Sequence, residues 1–100
     1  MGIAKPYINK KISNNSFERI FREHTNEDEL VWHRDKKDRT VKILECDGWK
    51  FQEDNKLPIE LHNGDIINIK AYEYHRIIKG KGSLVVHITE HETNKNGQQT

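Results

Sequence analysis

From residue 29 to residue 90 the sequence is a succession of short apolar runs, cut roughly every 8–12 positions by turn-forming clusters. This rhythm leaves no room for a helix of ordinary length, so the chain must close its core with strands. "ELVWHRD" reads as a strand with Val31 on its buried face, "KKDR" as a polar turn, and "TVKILEC" as a strand with Val41 and Ile43 on one face. "CDG" is a hairpin connection into "WKFQ", and "EDNKLP" turns the chain toward the short strand "IEL", opened by Pro58. "HNGD" leads into "IINIKA" and "YEYHRIIKG", and "GKGS" forms a last hairpin into "LVVHITE". Upstream, "SFERIFREH" fits a helix capped by Asn15 with Glu18 at the capping-box position. It equally fits a strand with Phe17, Arg19 and Phe21 on one face. The β character of all that follows favours the strand, and "PYIN" adds an edge strand. Seven or so short strands predict an all-β sandwich or small barrel.

The organisation expected is an N-terminal portion, residues 1–28, packing on a barrel core at 29–90, with a flexible polar tail at 91–100. Hydrophobic residues are 33% of the chain, enough for one thin core. Charged residues are also 33%, but 17 Lys and Arg against 16 Asp and Glu give a net charge of +1. Such balance provides no electrostatic footprint for nucleic acid or an anionic membrane. No apolar run is long enough to span a bilayer, and "MGIAKPYINKK" shows no signal-peptide pattern. With Cys46 as the lone cysteine, no internal disulfide forms, and a reducing cytosol is the expected compartment.

The chemistry concentrates in three residues. In a strand, His33 and Asp35 share a face, and burying an imidazole with a carboxylate demands compensation by a metal ion, by an arginine, or by exposure to water. His75 lies forty positions beyond Asp35. Two histidines and one carboxylate on one side of a site form the facial triad that suits non-heme Fe(II), with positions left open for substrate or oxygen. Arg39 offers the other compensation, as a partner of Asp35 across the turn or as a bidentate anchor for an anionic ligand. Gln52 is a further group that could point into the same pocket. His24, His62, His87 and His91 lack a partner at ligand spacing and read as surface residues, Trp32 as packing or a dimer contact, and Tyr72 and Tyr74 as rim residues.

"HRDKKDRTVKILECDGWKFQ" followed by "LHNGDIINIKAYEYHR" resembles the two signature motifs of the cupin superfamily. His33 matches the first histidine of the first motif, G-x5-H-x-H-x3,4-E-x6-G. Asp35 replaces its second histidine, Arg39 its glutamate and Cys46 its closing glycine. Gly64 and His75 fit the second motif, G-x5-P-x-G-x2-H-x3-N, while Lys70, Tyr72 and Lys79 replace its proline, its central glycine and its asparagine. The resemblance spans residues 29 to 90 and implies a small antiparallel double-stranded β-helix, a jelly-roll barrel.

It further implies that His33, Asp35 and His75 hold a divalent metal, Fe, Mn, Zn or Ni, in an open pocket. Arg39 and Gln52 are then the residues expected to meet a small-molecule ligand. The activity this suggests is iron-dependent dioxygenation or metal-assisted isomerisation of a small anionic or polar molecule. The alternatives are a metal-free module binding a sugar or organic acid, or an interaction protein working as a homodimer. H-x-D with a distal histidine is also similar to the 2-oxoglutarate oxygenases. Those carry a basic residue about ten positions past the distal histidine, where this chain has Val85.

Overall fold

Strand alternation decides which side chains meet in the interior. A computed structural model describes residues 5–92, so the tail expected at 91–100 lies outside the described residues from 93 onward. Eight strands follow in order: β1 (Ile8–Lys11), β2 (Ser16–Phe21), β3 (Asp38–Glu45), β4 (Lys50–Glu53), β5 (Ile59–Glu60), β6 (Ile66–Ile69), β7 (His75–Ile78) and β8 (Leu84–His91). The described helical content is one 3-10 turn, Glu27–Glu29, whose first amides are met by the Asn26 side chain accepting from the Asp28 N–H.

All pairings between these strands are antiparallel, in two sheets ordered β1-β2-β8-β3-β6 and β5-β4-β7. From β3 onward the chain changes sheet at almost every connection, as a double-stranded β-helix requires. Two expected hairpins are thereby corrected. "CDG" joins β3 in the large sheet to β4 in the small one, and "GKGS" joins β7 to β8 across the same gap. Both are corners between sheets, with the local turn chemistry of a hairpin but no pairing between the strands they connect. The corners meet each other: Lys81 N–H donates to Asp47 O at 2.7 Å, and the Trp49 indole N–H donates to Lys81 O at 3.1 Å.

The core follows the period of two. Val41 and Ile43 of β3 face Leu84, Val86 and Ile88 of β8, while Phe51 of β4, Trp49 just before it and Leu61 close the opposite side. Trp49 is fully buried, its one polar atom satisfied by the Lys81 carbonyl. "SFERIF" is the strand β2, and it pairs along its full length with β8, so the N-terminal hairpin β1–β2 extends the large sheet.

One segment departs from expectation. "ELVWHRD" is no strand: after the 3-10 turn the chain runs as an irregular strap whose ladder contact is a single bridge, His33 to His75. Val31, expected in the core, is 58% exposed, and Trp32 next to it is 39% exposed beneath the Arg76 guanidinium. Two consecutive exposed apolar residues are incompatible with a half-buried pleated strand. The strap gains its place from the reciprocal His33–His75 backbone bonds, at 3.0 and 2.9 Å, and from Tyr72 N–H donating to Asp35 O at 2.7 Å.

Candidate metal centre

The barrel interior contains a cavity of about 380 Å³. Its walls are aliphatic and aromatic, with Ile43, Phe51, Leu84 and Val86 among them, and its polar groups include His33, Asp35, His75, Arg39 and Arg19. Two elements deliver the first three. His75 opens β7 and is buried at 4% exposure, while His33 and Asp35 ride on the strap bonded to it. Although the strap is not a strand, its extended course around the bridge keeps His33 and Asp35 on the cavity side. One ligand atom from each of the three residues lies within 4.8 Å of the other two, and the two imidazoles meet edge to face at 4.4 Å between centroids.

The hydrogen bonds of this cluster prepare it for a cation. His75 Nδ1 is 2.9 Å from Glu73 O, and His33 Nδ1 is 3.1 Å from Val31 O. A carbonyl only accepts, so each ring carries a proton on Nδ1, and the neutral form of each ring then presents its Nε2 lone pair, the tautomer of a metal-ligating histidine. Burial pulls His33 below its ordinary pKa, and the nearby His75 and Arg39 act in the same direction against the Val31 carbonyl and Asp35. Asp35 has the opposite balance. Burial pushes its carboxyl up, but the His75 imidazole, the Arg39 guanidinium and His33 together hold it below its usual value. Its Oδ2 lies 3.3 Å from His75 Nε2 outside hydrogen-bond geometry, and it is a buried acceptor without a hydrogen-bond partner among the described residues. Two imidazole nitrogens and one carboxylate oxygen without a hydrogen-bond partner converge within 4.8 Å of one another. The donor set suits a borderline divalent ion.

Arg39 also faces the cavity, but with its guanidinium already engaged. Its Nε and Nη2 both donate to Glu90 Oε2, at 3.1 and 2.7 Å, and Nη1 is 3.5 Å from Asp35 Oδ1. Asp35 and Glu90 stand against the guanidiniums of Arg39 and Arg19, which is within electrostatic reach of both, so the fixed charges of this corner balance. Gln52 is placed elsewhere. Trp49 and Phe51 face inward, which by alternation turns Gln52 outward, where its amide donates to Lys56 O and its carbonyl accepts from Arg76 Nε. Cys46 sits off the site, its thiol pushed up by burial and by Asp65 and Asp47, which leaves it a poor nucleophile.

Sequence reasoning missed two residues here. Glu90 follows Leu84, Val86 and Ile88 at the same phase of β8, so alternation alone aims it inward as the counter-ion of Arg39. Arg19 lies between Phe17 and Phe21 at the inward phase of β2 and lines the cavity.

Two antiparallel sheets between which the chain passes at almost every connection, enclosing a pocket, form the double-stranded β-helix of the cupin fold, and this chain has it. No protein-family model matches the chain, and no curated protein matches it in sequence. Solved structures do match. An RmlC-like cupin family protein with a double-stranded β-helix fold, from Methanocaldococcus jannaschii, superposes with a TM-score of 0.69 at 13% identity, over 95% of this chain and 88% of its own. A cupin domain from Bordetella pertussis gives 0.61 at 18% identity, over 91% of this chain and all of its own. Fe(II) HppE gives 0.61 at 15% identity, over 76% of this chain and 41% of its own. At such identities the likeness concerns the fold. Among the described residues no helix is long and apolar enough to cross a membrane.

Proposed function

We propose that the protein is a metal-dependent small cupin in which His33, Asp35 and His75 hold one divalent ion, with Fe(II) its working metal, and that it oxidises a small molecule bound in the barrel cavity. The observation that carries this reading is the orphaned Oδ2 of Asp35 facing two histidines whose Nδ1 protons are committed to backbone carbonyls. A polar atom buried without a partner costs of order 1–3 kcal/mol, and a cation at this point removes that cost. The Fe(II) form of HppE, with which this chain shares its fold, supports the choice of metal.

When bound, the ion would supply open coordination positions for substrate or oxygen. The chain supplies the rest. Glu73 O and Val31 O fix the two imidazole orientations. Arg39 holds Asp35 by Oδ1 and leaves Oδ2 for the site, while Glu90 balances the guanidinium that would otherwise repel the ion. The apolar walls exclude water and accept the hydrocarbon part of a ligand.

The deciding experiment is elemental analysis of the purified protein before and after anaerobic reconstitution with Fe(II), Mn(II), Zn(II) and Ni(II), followed by oxygen uptake on the loaded protein. About one equivalent of metal, lost in His75→Ala while the barrel stays folded, is the result expected from three shared ligands. A second reading draws on the 3.5 Å contact between Arg39 and Asp35: the cluster is a structural ion pair and the cavity binds its ligand without metal. Absence of metal under every condition, with the fold intact, would establish that reading instead.

A further inference from the structure

Arg19 lies within electrostatic reach of Asp35, Glu90 and Arg39 but makes an ion pair with neither carboxylate. Its guanidinium carbon lies 3.7 Å from the Tyr7 ring centroid and 5.3 Å from that of Phe17, and its Nε donates to Oδ1 of Asn9, its cross-strand partner, at 2.9 Å. The terminal nitrogens Nη1 and Nη2 have no hydrogen-bond partner, and no carboxylate lies within 4.0 Å, among the described residues. The residues outside that range, 1–4 and 93–100, contain no Asp or Glu side chain. Glu29 also lines the cavity but is exposed and makes no ion pair with Arg19. A cation drawn into an apolar barrel is normally paired, because lost hydration must be replaced. Here two aromatic rings and one amide oxygen hold the side chain in place, and the edge formed by Nη1 and Nη2 is left open.

The contrast with Arg39 sharpens the point. The Nε–Nη2 edge with which Arg39 would grip an anion is taken by Glu90, and its Nη1 is turned to Asp35. The anion anchor expected at Arg39 therefore has no free face, whereas Arg19 has one. Apart from the two arginines, Glu29 and the His33–Asp35–His75 cluster, the cavity wall is aliphatic and aromatic.

From this arrangement we infer that the cavity takes a small carboxylate with an apolar body, its carboxylate gripped in bidentate fashion by the terminal nitrogens of Arg19. A single guanidinium edge matches the two oxygens of one carboxylate, whereas a phosphate dianion leaves further oxygens and charge unmet. The inference deepens the proposed function by naming its substrate class, and it rests on reading the same cavity as the binding site.

The test is calorimetric titration of the full chain, as isolated, with benzoate, benzamide and phenyl phosphate, with metal content measured on the same samples. Benzoate should bind at least about tenfold more tightly than the isosteric benzamide, since only the former supplies the charge-assisted pair. Arg19→Met should lose about tenfold or more of the benzoate affinity, and Arg19→Lys should recover part of it, a point charge replacing a fork. If Arg19→Met does not fold, the benzoate-to-benzamide ratio on the wild-type chain and the Arg19→Lys value decide. Equal affinity for benzoate and benzamide, phenyl phosphate binding tighter than benzoate, full affinity in Arg19→Met, or no benzoate binding at all would each overturn the assignment. Arg19-dependent benzoate binding in protein that never takes up metal would sustain it while removing the metal reading. Metal at one equivalent beside Arg19-independent binding would do the reverse.

Discussion

Gly80→Ala should be among the most damaging conservative changes in this protein, although Gly80 is not a member of the ligand cluster. A Cβ at position 80 would stand 2.4 Å from Gly48 C, 2.4 Å from Trp49 N and 2.5 Å from Asp47 O. All three are backbone atoms of the opposing corner, so no side-chain rotation relieves the overlap. To reach ordinary contact the corners must separate by about an ångström, the difference from normal carbon contact distances. That movement stretches the Lys81–Asp47 and Trp49–Lys81 hydrogen bonds, which cross the same gap. Overpacking of this kind costs about 1–3 kcal/mol, and each weakened bond adds about 1 kcal/mol. The lower entropy of an unfolded alanine chain returns less than about 1 kcal/mol. A net loss of about 3 kcal/mol corresponds to a melting point lower by roughly 12–24 °C in a domain of this size. Thermal unfolding followed by near-ultraviolet circular dichroism reads it directly, because Trp49 lies at the junction. Gly82→Ala is the control: open space surrounds that position, and its φ of 62° costs only the modest strain of a left-handed alanine. If Gly80→Ala melted within a few degrees of wild type, the packing of the two corners described above would be wrong.

Glu90→Gln removes the main counter-ion of Arg39 and turns the guanidinium toward Asp35. Metal affinity, measured by competition with a chelator, should fall by about tenfold, or ~1.4 kcal/mol. In metal-free protein, stability should decline as the solution is acidified. Asp35 is held below its ordinary pKa, so its stabilisation is complete above the unfolded carboxyl value of about 3.9 and is lost as pH falls through the folded value. His33 is also lowered, so unfolded chains take up its proton first and stability falls as pH drops below the unfolded value of about 6.5. Urea midpoints from pH 8 to pH 3 should show both declines, and Asp35→Asn should flatten the acidic one. Saturation with metal at about a hundredfold excess over Kd should stabilise the fold by ~2.7 kcal/mol, and His75→Ala should erase that gain in a thermal shift assay.

Much of the architecture was legible because alternation is a local property. "TVKILEC" puts Val41 and Ile43 on one face by counting in twos, and the core contains both; the same count along "LVVHITE" fits Leu84, Val86 and Ile88, which the core also contains. Which strands pair is not local, and the corners at 46–48 and 80–83 look like hairpins because turn residues record that the chain bends, without recording to which sheet it goes. The structure brings His33, Asp35 and His75 together, yet the strand invoked to align His33 with Asp35 is a strap. Hydrophobic Val31 and Trp32 imitate a strand that the burial pattern denies. For Gln52, the aromatic pair Trp49 and Phe51 already contained the answer through its own phase. Arg19 and Glu90 were equally readable from their strands but carry charge, and an inward charge gains meaning only when its neighbours across the barrel are known.

The bridge between His33 and His75 has a kinetic consequence. Two proposed ligands sit on a strap tied to β7 by a reciprocal pair of backbone bonds, and the third opens β7 itself. An ion joining them would clasp together segments 42 residues apart in the chain, so its escape and the lifting of the strap become one event. Exchange of a held ion should then be slow and insensitive to the concentration of a competing chelator. It should also run at the rate at which the amides of His33 and His75 exchange with solvent deuterium.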